Sequence, residues 1–69
     1  MDNQEPFPNE PLGDLIYQKF GNHRALAKAA HVPIATVERA LRGLPISNKH
    51  ADAIERALGT AVYIDRMEK

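Results

Sequence analysis

A small all-α domain of four to five helices is the fold class this 69-residue chain predicts. Three observations predict it. Apolar residues recur at three- and four-residue spacing in four successive segments. The segments end at Gly21, ahead of Pro33, at Gly43 and at Gly59, and three of them start at an Asn or Ser suited to capping. Only the closing stretch, TAVYIDRMEK, alternates with period two.

The first helix starts at Pro11, with Asn9 as its cap, because proline suits a first helical turn. Leu12, Leu15, Ile16 and Phe20 form its buried stripe, and Gly21 ends it. Asn22 caps the second helix, whose Leu26, Ala27 and Ala30 face inward. Pro33 pushes Val32 toward an extended backbone, so this helix breaks with His31 at the left-handed position. Histidine is one of the side chains that tolerate it. The third helix runs over residues 33–42. Val37, Ala40 and Leu41 share its inner face, Ile34 lies at the margin, and Ala35, Arg39 and Arg42 point outward. Gly43 stops it, and Leu44 and Ile46 are expected to be buried in the connection. Ser47 caps a fourth helix with an Ala51, Ile54, Leu58 stripe. In the tail, Thr60, Val62 and Ile64 alternate with Ala61 and Tyr63, which favours a short strand over a final helical turn.

Three parts follow: a flexible, acidic, proline-broken arm over residues 1–10, a helical domain over 11–59 that the reading below makes the DNA-binding part, and a tail over 60–69. A domain this small has a modest core, and no cysteine is present to brace it. Association of two copies is a natural remedy, and Val62, Tyr63 and Ile64 are the candidate dimer surface. The competing expectation is that these residues fold back to complete the chain's own core. No apolar run has membrane-span length and the first residues are unlike a signal peptide, so a cytoplasmic protein away from membranes is expected.

The net charge is zero, yet its distribution is uneven. Residues 1–16 carry Asp2, Glu5, Glu10 and Asp14 and no basic residue. Residues 17–50 carry Lys19, Arg24, Lys28, Arg39, Arg42 and Lys49 against Glu38 alone, with His23, His31 and His50. A polyanion responds to that local field rather than to the sum. Two short helices joined by a tight turn, the second basic on its solvent side, describe a helix-turn-helix. Such a crossing needs a small residue in its first helix, an apolar residue after the turn and an apolar anchor in its second helix. Ala27, Val32 and Val37 meet these needs.

The segment ALAKAAHVPIATVERAL resembles the DNA-reading motif of the lac repressor family, most of all in ATVERAL. The wider span FGNHRALAKAAHVPIATVERALRGLPISNKHADAIERALGTAV is more similar to phage Cro proteins and Cro/cI-type regulators, YdaS-like antitoxins included. Those share a Phe-Gly before the motif and an AIER helix after it. The resemblance covers roughly residues 12–64. The hinge and sugar-binding domain of the lac type do not follow here, which favours the Cro-like likeness. It implies a lambda-repressor-like domain, a homodimer on a two-fold operator in double-stranded DNA, and transcriptional repression. The antitoxin likeness implies a toxin or another regulatory protein as partner.

The resemblance makes residues 33–42 the recognition helix, with Ile34, Ala35, Glu38 and Arg39 toward base edges. Thr36 and Arg42 would meet phosphates or a neighbouring base. Asn22, His23 and Arg24 would lie beside the backbone, as would Ser47, Asn48 and Lys49 at a helix start whose amides favour an anion. Arg39 is the candidate for a bidentate guanine contact, worth roughly 1–3 kcal/mol of discrimination. Ile34 reads equally as a thymine-methyl contact or as a core-edge residue.

Three residues depart from the family's pattern. His31 stands where many relatives have glycine. Pro33 replaces the Ser or Thr that usually caps the recognition helix. Glu38 brings negative charge to the DNA side, where it either pairs with Arg42 four residues on or accepts from a cytosine amino group. Glu38, Pro33, the zero net charge and the acidic arm also suit a protein-interaction module that keeps the fold without DNA binding. Nothing points to an enzyme, metal or cofactor. Ser47 is the only serine and reads as a cap, and the histidines, eight and nineteen positions apart, have no carboxylate cluster beside them.

Overall fold

The computed structural model describes residues 8–67. Four helices follow one another: α1 (Glu10–Phe20), α2 (His23–Ala30), α3 (Ile34–Leu41) and α4 (Asn48–Leu58). Each starts where local chemistry satisfies its first amides. The Asn9 side chain accepts from Leu12 N, Asn22 from Ala25 N and Ser47 from His50 N. Only α3 has no side-chain cap: Pro33, extended at φ −61° and ψ 143°, precedes it.

The turn between α2 and α3 is a Schellman closure. Val32 N–H donates to Ala27 O at 3.1 Å, and His31 N–H donates to Lys28 O at 3.3 Å. His31 takes the left-handed conformation, φ 59° and ψ 42°, and is the sole non-glycine residue with positive φ among the described residues. The closure stacks Val32 on Ala27, and both are buried. Close approach of α3 to α2 depends on the alanine having no side chain beyond Cβ.

Helix α2 is the centre of the domain, packing on α4, α3 and α1. The core joins Leu12 and Ile16 of α1, Leu26 and Ala27 of α2, Val37, Ala40 and Leu41 of α3, and Ala51, Ile54 and Leu58 of α4. Leu15, Phe20, Ala30 and Ile34 pack on its edge. Asn9 is the one buried polar residue among those described. Its Nδ2 donates to Tyr63 O at 2.9 Å and, at a long 3.4 Å, to Ala40 O. Its backbone N–H donates to Leu41 O. One residue therefore ties the start of α1, the end of α3 and the tail.

Two expectations are corrected. Leu44 is 41% exposed rather than buried. A second Schellman closure ends α3, with Gly43 at φ 81° and Leu44 N–H donating to Arg39 O at 2.9 Å. It ties the Leu44 backbone to Arg39, at the solvent-facing end of α3. The tail forms no strand among the described residues, and no fifth helix. It runs extended and makes one isolated parallel bridge, Ile46 with Arg66. Ile46 N–H donates to Asp65 O and Met67 N–H to Ile46 O, at 3.0 and 2.8 Å. Pro45 has no N–H to add, and Ser47 is already the cap of α4, so the ladder stops at one rung. The tail still alternates: Ile64 is buried and Val62 packs on the core, while Tyr63 is 71% exposed. No helix is long and apolar enough to cross a membrane among the described residues.

Candidate nucleic-acid interface

The exposed flank of α3 carries Ala35, Arg39 and Arg42, spaced four and three residues apart and so stacked along one side. Thr36 and Glu38 border it half-buried. Ile34, also half-buried, belongs to the core edge. The flank is rigid, because Val37, Ala40 and Leu41 on the opposite side are fully or almost fully buried.

Two hydrogen bonds tie this flank to its neighbours. Glu38 Oε2 lies 3.3 Å from Nε2 of His23, the first residue of α2. Arg39 Nη2 donates to Pro45 O at 3.0 Å, in the connection to α4. The start of α2, the outer side of α3 and the approach to α4 thus form one connected surface. Glu38 does not pair with Arg42; helical spacing permits that pair, but the crossing of α2 offers His23 instead.

The remaining site residues differ in what already engages them. Arg24, Arg42 and Lys49 are exposed and make no ion pair among the described residues, as does Lys28. The side-chain oxygens of Asn22 and Ser47 accept capping bonds from Ala25 N and His50 N, which leaves the Asn22 amide N–H groups and the Ser47 O–H as the donors they can offer an anion. Asn48 Oδ1 accepts from Arg66 Nη1 at 3.3 Å. Of the three tail residues, Ile64 is committed to the chain's own core with Val62 against it. Tyr63 is exposed and lines a shallow apolar groove with Pro8, Pro11 and Gly43.

Arg66 was not singled out by the sequence. It latches the tail to α4, with Nη1 2.8 Å from Asp52 Oδ1 and Nη2 3.4 Å from Glu55 Oε1. The Asp52 hydrogen bond raises the guanidinium above its ordinary value against the effect of desolvation, helped by the charges of Asp52 and Glu55. No group of three or more His, Cys, Asp or Glu residues that could hold a metal ion occurs among the described residues.

Compared with protein-family models, curated proteins and solved structures, the chain finds no match in any of the three.

Proposed function

We propose that this chain is a sequence-specific DNA-binding transcriptional regulator. In this reading α2 and α3 are a helix-turn-helix of lambda-repressor-like type, and α3 is the recognition helix in the major groove. The single observation that carries the reading is a short, rigidly packed helix presenting Ala35, Arg39 and Arg42 on its open side beside the exposed Arg24 and Lys49, which have no ion pair among the described residues. Lysine and arginine there displace counterions from phosphate and supply affinity without sequence information. Arg39 supplies specificity. It must first leave Pro45 O, an exposed bond whose net value is about 0.5–3 kcal/mol. A bidentate contact to guanine is worth a similar 1–3 kcal/mol and is made in a drier place, so the exchange is feasible. Two copies on a two-fold operator double the readout of one short helix. Of Val62, Tyr63 and Ile64, Tyr63 is the one left exposed to serve such a dimer. Repression by occupying the promoter is the mechanism of this reading, in a cytoplasmic setting and without a cofactor.

The second reading is a protein-interaction module or antitoxin on the same scaffold, with weak or no DNA binding. The bond from Arg39 to Pro45 and the carboxylate of Glu38 on the same flank favour it. Fluorescence anisotropy separates the two. The protein is titrated onto duplex DNA from upstream of its own coding sequence, and onto shuffled DNA, over a salt series. If Arg24, Arg42 and Lys49 each neutralise one phosphate per protomer, the log–log salt slope of a dimer is about −5. Arg39→Ala with Arg42→Ala should weaken binding to the native fragment by about tenfold or more. Unchanged affinity in the double variant, or no binding by the native protein at low salt, would move the assignment to the interaction module.

A further inference from the structure

The one acidic side chain on the outer side of α3 is held by half of its carboxylate. Oε2 of Glu38 faces Nε2 of His23 at 3.3 Å. A carboxylate only accepts, so Nε2–H of the imidazole is the donor. Oε1 has no hydrogen-bond partner among the described residues, and the Glu38 side chain is 42% exposed. His23 belongs to the first turn of α2 and Glu38 to the middle of α3, so the contact fixes the acceptor in the frame of both helices.

We infer that Glu38, aimed by His23, is a specificity-determining residue that accepts a hydrogen bond from the exocyclic amino group of a cytosine in the major groove. This rests on the DNA-binding reading above and deepens it. A carboxylate on a phosphate-facing surface is repelled unless a donor meets it. Guanine presents only acceptors in the major groove, and thymine an acceptor beside its methyl group. Adenine presents its amino donor next to the N7 acceptor, which opposes a carboxylate. Cytosine presents a donor alone, matching one free carboxylate oxygen on a side chain that is already oriented. His23 is a positioning residue here: it spares Glu38 the choice of rotamer and leaves Oε1 as the outward acceptor.

The test is selection of binding sites from a random-sequence duplex pool by the native protein, Glu38→Ala, Glu38→Gln, His23→Ala and His23→Gln. Thermal melts confirm that each is folded, and the isosteric Glu38→Gln carries the test if the alanine variant is not. The native protein should select a site with one cytosine per half-site that, when replaced, lowers affinity about tenfold. Glu38→Ala and Glu38→Gln should lose the preference at that base pair and keep it elsewhere. His23→Ala should weaken the same preference, and His23→Gln, which retains a donor, should restore it in part. Glu38 variants that select the native sequence and bind every duplex more tightly would overturn the inference, leaving His23 as a clamp that holds a charge off the phosphates. Loss of the preference in Glu38 variants with none in His23→Ala would overturn the positioning role. No enrichment by the native protein would overturn the DNA reading, and this inference with it.

Discussion

Replacing Asn9 with alanine removes two functions at once. The side-chain Oδ1 caps α1 through Leu12 N at 3.3 Å, and Nδ2 holds the tail through Tyr63 O at 2.9 Å. Loss of a cap costs about 1 kcal/mol. A carbonyl left without its donor costs about 1–3 kcal/mol, and the lower end applies because Tyr63 is exposed and water can reach it. The long contact to Ala40 O adds little. The sum is about 2–3 kcal/mol, against a total stability of roughly 3–10 kcal/mol for a chain of this length. Tm should therefore fall by about 10–20 °C, followed by far-UV circular dichroism and checked by urea unfolding. Asn9→Asp separates the two functions. It keeps the capping oxygen but turns a buried carboxylate toward the carbonyls of Tyr63 and Ala40. Those carbonyls and the burial disfavour the charged form, so the folded pKa of this aspartate rises above its unfolded value near 4. Its penalty is then present at neutral pH and disappears as pH falls through the folded pKa. An Asn9→Asp protein as stable as the native one at neutral pH, beside a destabilised Asn9→Ala, would refute the clamp and leave only the cap.

His31→Gly should stabilise the domain by about 0.5–1 kcal/mol in urea unfolding, since the left-handed conformation costs a side chain about 1–2 kcal/mol and glycine's unfolded-state entropy takes back part of that. Ala27→Leu should destabilise it by about 1–3 kcal/mol or prevent folding, because the added carbons meet Val32 and the crossing of α3 over α2. Ser47→Ala should cost about 0.5–2 kcal/mol through the lost cap of α4, seen as faster amide exchange at His50. Arg66→Ala should speed amide exchange at Ile46 and Met67 while leaving α2 protected, because the latch holds the tail rather than the core.

Local rules account for what the sequence disclosed. Asn9, Asn22 and Ser47 cap the helices they precede because capping involves only three or four adjacent residues. The trio Ala27, Val32 and Val37 was legible because one short turn governs all three positions, and each is buried. Non-local partners were not legible. Glu38 meets His23 from fifteen positions away, whereas spacing along one helix suggested Arg42. Arg39 bonds a carbonyl, and no pattern of side chains announces a backbone acceptor. Asn9 showed its capping role but not its hold on Tyr63, 54 positions on. The tail misled because alternation reports one buried and one open face, and a solitary extended segment on a helical core has those as well as a strand does.

The measurement that bears most directly on the central claim is an amide-resolved NMR titration of the 15N-labelled protein with a duplex chosen by selection from a random pool. The account predicts shifts concentrated on α3 and the Arg42 that follows it, on Asn22, His23 and Arg24, and on Asn48 and Lys49, weakening as salt is added. Amides of α1 around Leu15 and Tyr17 should stay in place. Shifts confined to the tail and α1, or none at saturating DNA, would contradict α3 as the DNA-reading helix.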